Sequence, residues 1–191
     1  MAALSTTESI LIIAFVVIVI ASIAGFLFLR KRRTQGLRAR FGDAEYSRAM
    51  QEGGNQRRGE AGLEKRAERV EAFRVRPLAP GDHARFVDSW RRVQLRFVDG
   101  PAGAVAEADK LLGEVMTTRG YPVSDFEQRA ADISVDHPVV LQNYRTAHEI
   151  AVRQTQGKAN TEDLRQAMVH YRTLFDELVS EPQIPLAEVA S

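Results

Sequence analysis

Two hydrophobic patterns divide the chain. Ile10 to Leu29 reads ILIIAFVVIVIASIAGFLFL, twenty residues with no charge. At about 1.5 Å per helical residue this run is roughly 30 Å long, the thickness of a bilayer's hydrocarbon core. A helix apolar on every face for that length predicts a single transmembrane helix over 10–29, preceded by a short extracytoplasmic tail over 1–9. After Leu29 the apolar residues thin out and recur only at helical spacing.

Residues 30–76 are charged and broken by glycines. Asp43 to Glu52 predicts a helix with Tyr46 and Met50 four apart, stopped by Gly53-Gly54-Asn55. A second charged helix over about Gln56 to Phe73 carries Leu63, Ala67, Val70 and Arg74 along a thin stripe, with Gly59 and Gly62 weakening its start. The segment reads as a charged helical stalk beside the membrane.

From Pro77 the helical period is strong. Phe86, Trp90, Val93 and Phe97 mark a helix starting near Pro80. Pro101 opens the next, which turns Val105, Ala108, Leu112, Val115 and Met116 inward and stops at Gly120. Ser124-Asp125-Phe126-Glu127 has the form of a capping box for a short helix to about Ile133. A longer helix from Pro138 holds Val140, Tyr144, Ala147 and Ala151 and ends at Gly157. Asn160 caps the last, which presents Leu164, Met168, Tyr171, Phe175 and Leu178. No alternating strand pattern occurs. The expectation is an all-α chain with a helical domain over 77–179, a bundle of about five helices, and a flexible tail over 180–191.

Charge gives the anchor its direction. The net charge of +1 hides a surplus of 7 basic residues over 30–76 and an acidic excess of 5 from Pro77 onward. Arg30, Lys31, Arg32 and Arg33 follow the apolar run at once, whereas the tail before it has no Lys or Arg. A cleavable secretory signal has the opposite arrangement. The positive-inside rule places the tail outside and the domain in the cytoplasm, at a bacterial inner membrane, with those four residues at the membrane surface. Ala21 and Gly25 would let two such helices approach closely. Nucleic acid ranks last as a partner, because Glu60, Glu64, Glu68 and Glu71 interleave with the arginines and no aromatic platform accompanies them.

The chain has no cysteine, which excludes disulfides, thiol catalysis and cysteine-ligated zinc. Phosphate loops, dinucleotide fingerprints and nucleophile elbows are missing, and no cofactor is implied. One stretch is rich in chemistry-bearing side chains: Arg129, Asp132, Asp136, His137 and His148 are its low-ranked catalytic or metal candidates. His137 and His148 would stand roughly 16 Å apart on one helix, too far to ligate one ion. The bland reading of the same residues is pairing and capping between helices. On it, Asp136 caps the following helix, Arg129 and Arg145 pair with Asp132 or Glu149, and Tyr144 and Tyr171 are core residues with a hydroxyl at the rim.

The strings RFVDGPAGAVAEADKLLGEVMTTRGYP (96–122), FEQRAADISVDHPVVLQNYRTAH (126–148) and DLRQAMVHYRTLF (163–175) together resemble a family of bacterial, actinobacterial-type single-pass membrane-anchored proteins. The resemblance implies one N-terminal membrane segment and a helical soluble domain, and it carries no catalytic residue. The sequence therefore favours a non-enzymatic, membrane-tethered interaction module that engages a protein partner or a second copy. The rival is a membrane-anchored hydrolase or metal-binding protein using the polar cluster between Arg129 and His148.

Overall fold

The computed structural model describes the backbone of residues 6–122 and 124–180, and the side chains of these from Phe15 onward. The tails over 1–5 and 181–191 lie outside the described residues. The described chain is all-α: α1 (Thr6–Gly53), α2 (Gln56–Glu71), α3 (Pro80–Arg96), α4 (Pro101–Arg119), α5 (Phe126–Asp136), α6 (Pro138–Thr155) and α7 (Thr161–Ser180).

Helix α1 carries the apolar run through the basic collar without a break, as far as Phe41. At Gly42 the backbone leaves the helix with φ 74° and ψ 161°. That positive φ favours glycine because it has no Cβ to clash. The chain doubles back there: the Arg38 guanidinium lies 4.7 Å from the Tyr46 ring centre and 3.9 Å from the Asp43 carboxylate. A second limb runs from Asp43 to Gly53, as the sequence predicts. After Gly54 the Asn55 side chain caps α2 by accepting from the Arg58 N–H at 2.9 Å.

Helix α2 then runs parallel to the first limb of α1. Thr34 donates to Glu60 at 2.7 Å, Arg33 pairs with Glu64, and Arg40 pairs with Glu71 at 3.0 Å. Residues 30–76 are thus no free-standing stalk. Leu37, Phe41, Tyr46, Ala49, Leu63, Ala67 and Val70 are buried and continuous with the core of the C-terminal helices. A thin stripe suffices because α2 is covered by α1 on one side and α5 on the other. Arg74, expected on that stripe, lies beyond the end of α2.

Helices α3 to α7 supply the five-helix bundle. Helix α7 packs between α4 and α6, and α3 packs on α4. Trp90 of α3 stacks on Phe175 of α7, ring centres 4.8 Å apart. The expected core residues Phe86, Val105, Ala108, Leu112, Val115, Tyr144, Ala147 and Leu178 are all buried. Each fully buried Leu or Phe contributes about 1.5–3 kcal/mol relative to exposure. Asn160 caps α7 reciprocally with Asp163, each backbone N–H bonding the other's side chain at 3.0 and 2.9 Å. The cap of α5 is Asp125 rather than Ser124, accepting from the Gln128 N–H at 2.9 Å. Helix α5 also runs on to Asp136, so only His137 separates it from α6.

Among the described residues, no helix is long and apolar enough to cross a membrane. The uncharged run with described side chains is Phe15–Leu29; Ile10–Ala14, the start of the expected span, have side chains outside the described residues.

Two glycines of α2 test this arrangement with opposite signs. A Cβ at Gly59 would lie 2.7 Å from the Ala49 carbonyl oxygen, whereas one at Gly62 meets nothing within 4 Å. Gly59→Ala should destabilise the full chain by about 1–3 kcal/mol through overpacking. Gly62→Ala should stabilise it by about 0.5–1 kcal/mol through helix propensity. Denaturant unfolding in detergent checks both; stabilisation by both variants would mean that α2 does not pack on α1.

Candidate functional site

The residues that the sequence singles out lie at the meeting of α5 and α6, but each turns to a different neighbour. Asp132 and Asp136 share a face of α5, because the helix continues past Ile133. Asp132 is buried and accepts both contacts from Arg69 of α2 at 2.8 Å, with Gln128 adding a third at 3.0 Å. Burial raises its pKa above the ordinary aspartate value, while Arg69 and Gln128 oppose that rise. Asp136 accepts from the Tyr121 hydroxyl at 2.8 Å, beyond the end of α4. It therefore leaves α6 without the side-chain cap expected of it: the residue at that cap is His137, which makes no capping bond. Instead the His137 Nδ1 lies 3.2 Å from a carboxylate oxygen of Glu177 on α7.

Arg129 points toward α4, where its guanidinium is 3.4 Å from Asp109. The same carboxylate accepts from the Tyr171 hydroxyl at 3.2 Å. Tyr144 and Tyr171 are both fully buried rather than at the rim, and burial, with Asp109 nearby, pushes both phenols above their ordinary range. His148 stacks flat on Phe126, ring centres 3.5 Å apart and 5° from parallel. Burial, with Arg129 nearby, lowers its pKa below the usual imidazole value against the pull of Asp109, Glu127 and Glu149. Thus Arg129, Asp132, Asp136, His137 and His148 form no common constellation. Among the described residues, no group of three His, Asp or Glu side chains is placed to hold a metal ion.

Comparison with protein families, curated proteins and solved structures finds no match. The site must be read from its own geometry.

The buried charges that organise this region centre on Glu45, which the sequence does not single out. Glu45, on the second limb of α1, meets Arg66 of α2 at 2.8 Å and Arg145 of α6 at 3.2 Å. Arg145 reaches Glu127 of α5 as well, at 3.3 Å. Its partners are therefore Glu45 and Glu127, not Asp132 or Glu149. Glu60 is buried too and accepts from Thr34, Tyr46 and Gln56 at 2.7, 2.8 and 2.8 Å. Burial alone would raise its pKa, but those three donors together with Arg33 hold it below the ordinary glutamate value. One signal was available: Glu45 sits four residues from both Phe41 and Ala49, in the middle of an apolar row. Arg145 stands one helical turn after buried Leu141.

Around Arg145 the surface opens into a groove of about 790 Å³ between α1 and α6, where Phe126, His148 and Val152 meet Arg48, Glu149 and Arg153. Its lining mixes both charges with an aromatic floor.

The two buried carboxylates should differ in their effect on stability. Arg145 and Glu45 have side-chain exposures of 4% and 5%, whereas Arg69, the partner of Asp132, is 37% exposed. Glu45→Gln leaves a guanidinium buried beside a lost charge and should cost about 3 kcal/mol. Asp132→Asn lets Arg69 turn to water and should cost about 1 kcal/mol. Urea unfolding of the two variants in the same detergent measures the order.

His148 gives the pH dependence. Its folded pKa lies below the unfolded value of about 6.5, so its contribution to stability is present above that pH. It is lost as pH falls through the folded pKa, where the stacked ring must take up a proton. The ring resonances should titrate with a midpoint below 6.5, and His148→Phe should flatten the stability change between about pH 6.5 and 5. A midpoint at or above 6.5 rejects the stacked, desolvated ring.

Proposed function

We propose that the chain is a single-pass protein of the bacterial inner membrane, with Ile10–Leu29 spanning it, the N-terminus outside and the helical domain against the cytoplasmic face. The domain serves as a non-enzymatic interaction module. One observation carries the reading. In the described part of the run, Phe15, Ile18, Ile20, Phe26 and Leu29 are 60–68% exposed, and the same helix continues into buried Leu37 and Phe41. A continuous exposed apolar surface of this kind requires a lipid or protein cover. The twenty-residue uncharged sequence matches the length of a bilayer core, at about 1.5 Å per residue.

The coupling between anchor and domain supports a tethering role. No flexible linker intervenes: α1 leaves the apolar run as a helix and enters the core as a helix. The groove over Phe126 and His148 would then be held at a fixed height and orientation for a protein partner or a second copy. What favours an interaction role over catalysis is the dispersal of the five polar candidates onto separate structural partners.

Membrane fractions washed with alkaline carbonate test the anchor. The wild-type chain should stay with the membrane, and Ile18→Arg/Ile20→Arg should release it, since each arginine near the centre of a span costs about 2.5–3.5 kcal/mol. An export-dependent phosphatase fused after Ser191 should remain inactive. Release of the wild type, or an active phosphatase, would overturn the anchor or its orientation respectively. Crosslinking through the groove should trap a reproducible protein neighbour, which Val152→Glu should abolish.

A further inference from the structure

The basic residues of 30–76 are sorted by the fold. Arg33, Arg38, Arg40, Arg66 and Arg69 are engaged by carboxylates of the hairpin that α1 and α2 form, and of α5. At the end of the hairpin where α1 emerges from its apolar run, the balance is different. Gln56 lies within reach of both Arg30 and Thr34, at 3.5 and 3.1 Å. The first turn of α2 is therefore brought back to the level of the collar, some two dozen residues after the chain left it. Arg57 and Arg58 are exposed there, and neither guanidinium has an ion-pair partner among the described residues. Between the two helices is a groove of about 580 Å³ lined by Phe26, Leu29, Arg30, Arg33, Arg57 and Glu60.

This groove has a layered chemistry. Phe26 and Leu29 form an apolar wall on the side of the membrane run. Arg30, Arg33 and Arg57 stand above them. Glu60 keeps its negative charge, but its carboxylate is turned into the hairpin, where Thr34, Tyr46 and Gln56 donate to it. It is outnumbered at the opening by Arg30 and Arg57, which pair with no carboxylate among the described residues. Arg33 is braced by Glu64 and Arg30 by Gln56, so two of the three guanidiniums are positioned before anything binds. Guanidinium groups favour phosphate oxygens through paired N–H donors. Apolar residues next to them would contact the start of an acyl chain.

Resting on the reading of Ile10–Leu29 as an anchor, we propose that this groove seats the headgroup phosphate of one anionic phospholipid, with Arg57 as the cation that the fold adds to the collar. The seat ties α2 to the bilayer surface and sets the domain's tilt. Arg57 is the residue to test, because it is exposed, unpaired and remote from the core, so Arg57→Gln should fold normally.

The full-length protein, purified in a mild detergent, is mixed with equal amounts of phosphatidylglycerol and phosphatidylcholine, and retained lipid is counted by native mass spectrometry. One phosphatidylglycerol should be retained in preference to phosphatidylcholine. Arg57→Gln should weaken that retention about fivefold, in line with one basic residue at a lipid surface. The control Arg92→Gln, on the far side of the domain, should not change it. Inorganic phosphate at the same concentration should fail to displace the lipid. Equal retention of the two lipids, unchanged retention in Arg57→Gln, or displacement by free phosphate would each overturn the seat. Carbonate washing separates this from the anchor: a wild-type chain that washes off refutes both readings. A chain that stays in the membrane yet holds both lipids alike refutes only the seat.

Discussion

The arrangement of this protein depends on one buried carboxylate. Glu45 sits where three helices meet and answers Arg66 of α2 and Arg145 of α6 at once. Burying such a group adds little net stability, because desolvation offsets most of the attraction. Its effect is on arrangement: any packing that separates the second limb of α1 from α6 strands Arg145 with only the exposed Glu127. Asp132 and Arg69 repeat the constraint one helix away, between α5 and α2. These pairs connect the hairpin of α1 and α2 to the bundle, and the apolar contacts of Leu63, Ala67 and Val70 fill the space that they define.

That connection changes the mechanical character of the molecule. A stalk would let the domain move freely relative to the apolar run. Here the helix that bears the exposed apolar run also bears Leu37 and Phe41 of the core, and Gly42 then folds the chain back to dock against it. Motion of the domain relative to α1 would have to break buried ion pairs or uncover core residues. The orientation of the apolar run relative to the bundle is consequently built into the fold.

The polar stretch from Arg129 to His148 shows how chemistry-bearing residues become structural ones. Asp136 and His137 lie where a short helix joins a long one, while Arg129 and His148 sit within α5 and α6. Asp136 holds the Tyr121 hydroxyl, His137 approaches Glu177, Arg129 approaches Asp109, and His148 covers Phe126. The partners come from α4, α5, α7 and the connection after α4, so no single cavity receives these groups. Dense polar sequence at a helix junction is thus a poor guide to a catalytic centre when every side chain has a local task.

The sequence alone determined that the chain is helical and where α3, α4, α6 and α7 start, because these follow from local rules: apolar spacing, prolines at first turns and Asn160 at its cap; the ends of α5 and α2 were set by packing. It also determined the uncharged run and the collar, which are one-dimensional features of composition. Tertiary structure decided the rest. Gly42 is an ordinary glycine until the two limbs pack, and Gly59 looks like a helix defect until Ala49 lies against it. Glu45 and Arg145 interrupt apolar rows 100 residues apart, and nothing in either row names the other. The placement of Arg57 beside Arg30 and Arg33 is likewise invisible along the chain. Contacts across such distances are set by how helices are placed in space, and only the folded chain places them.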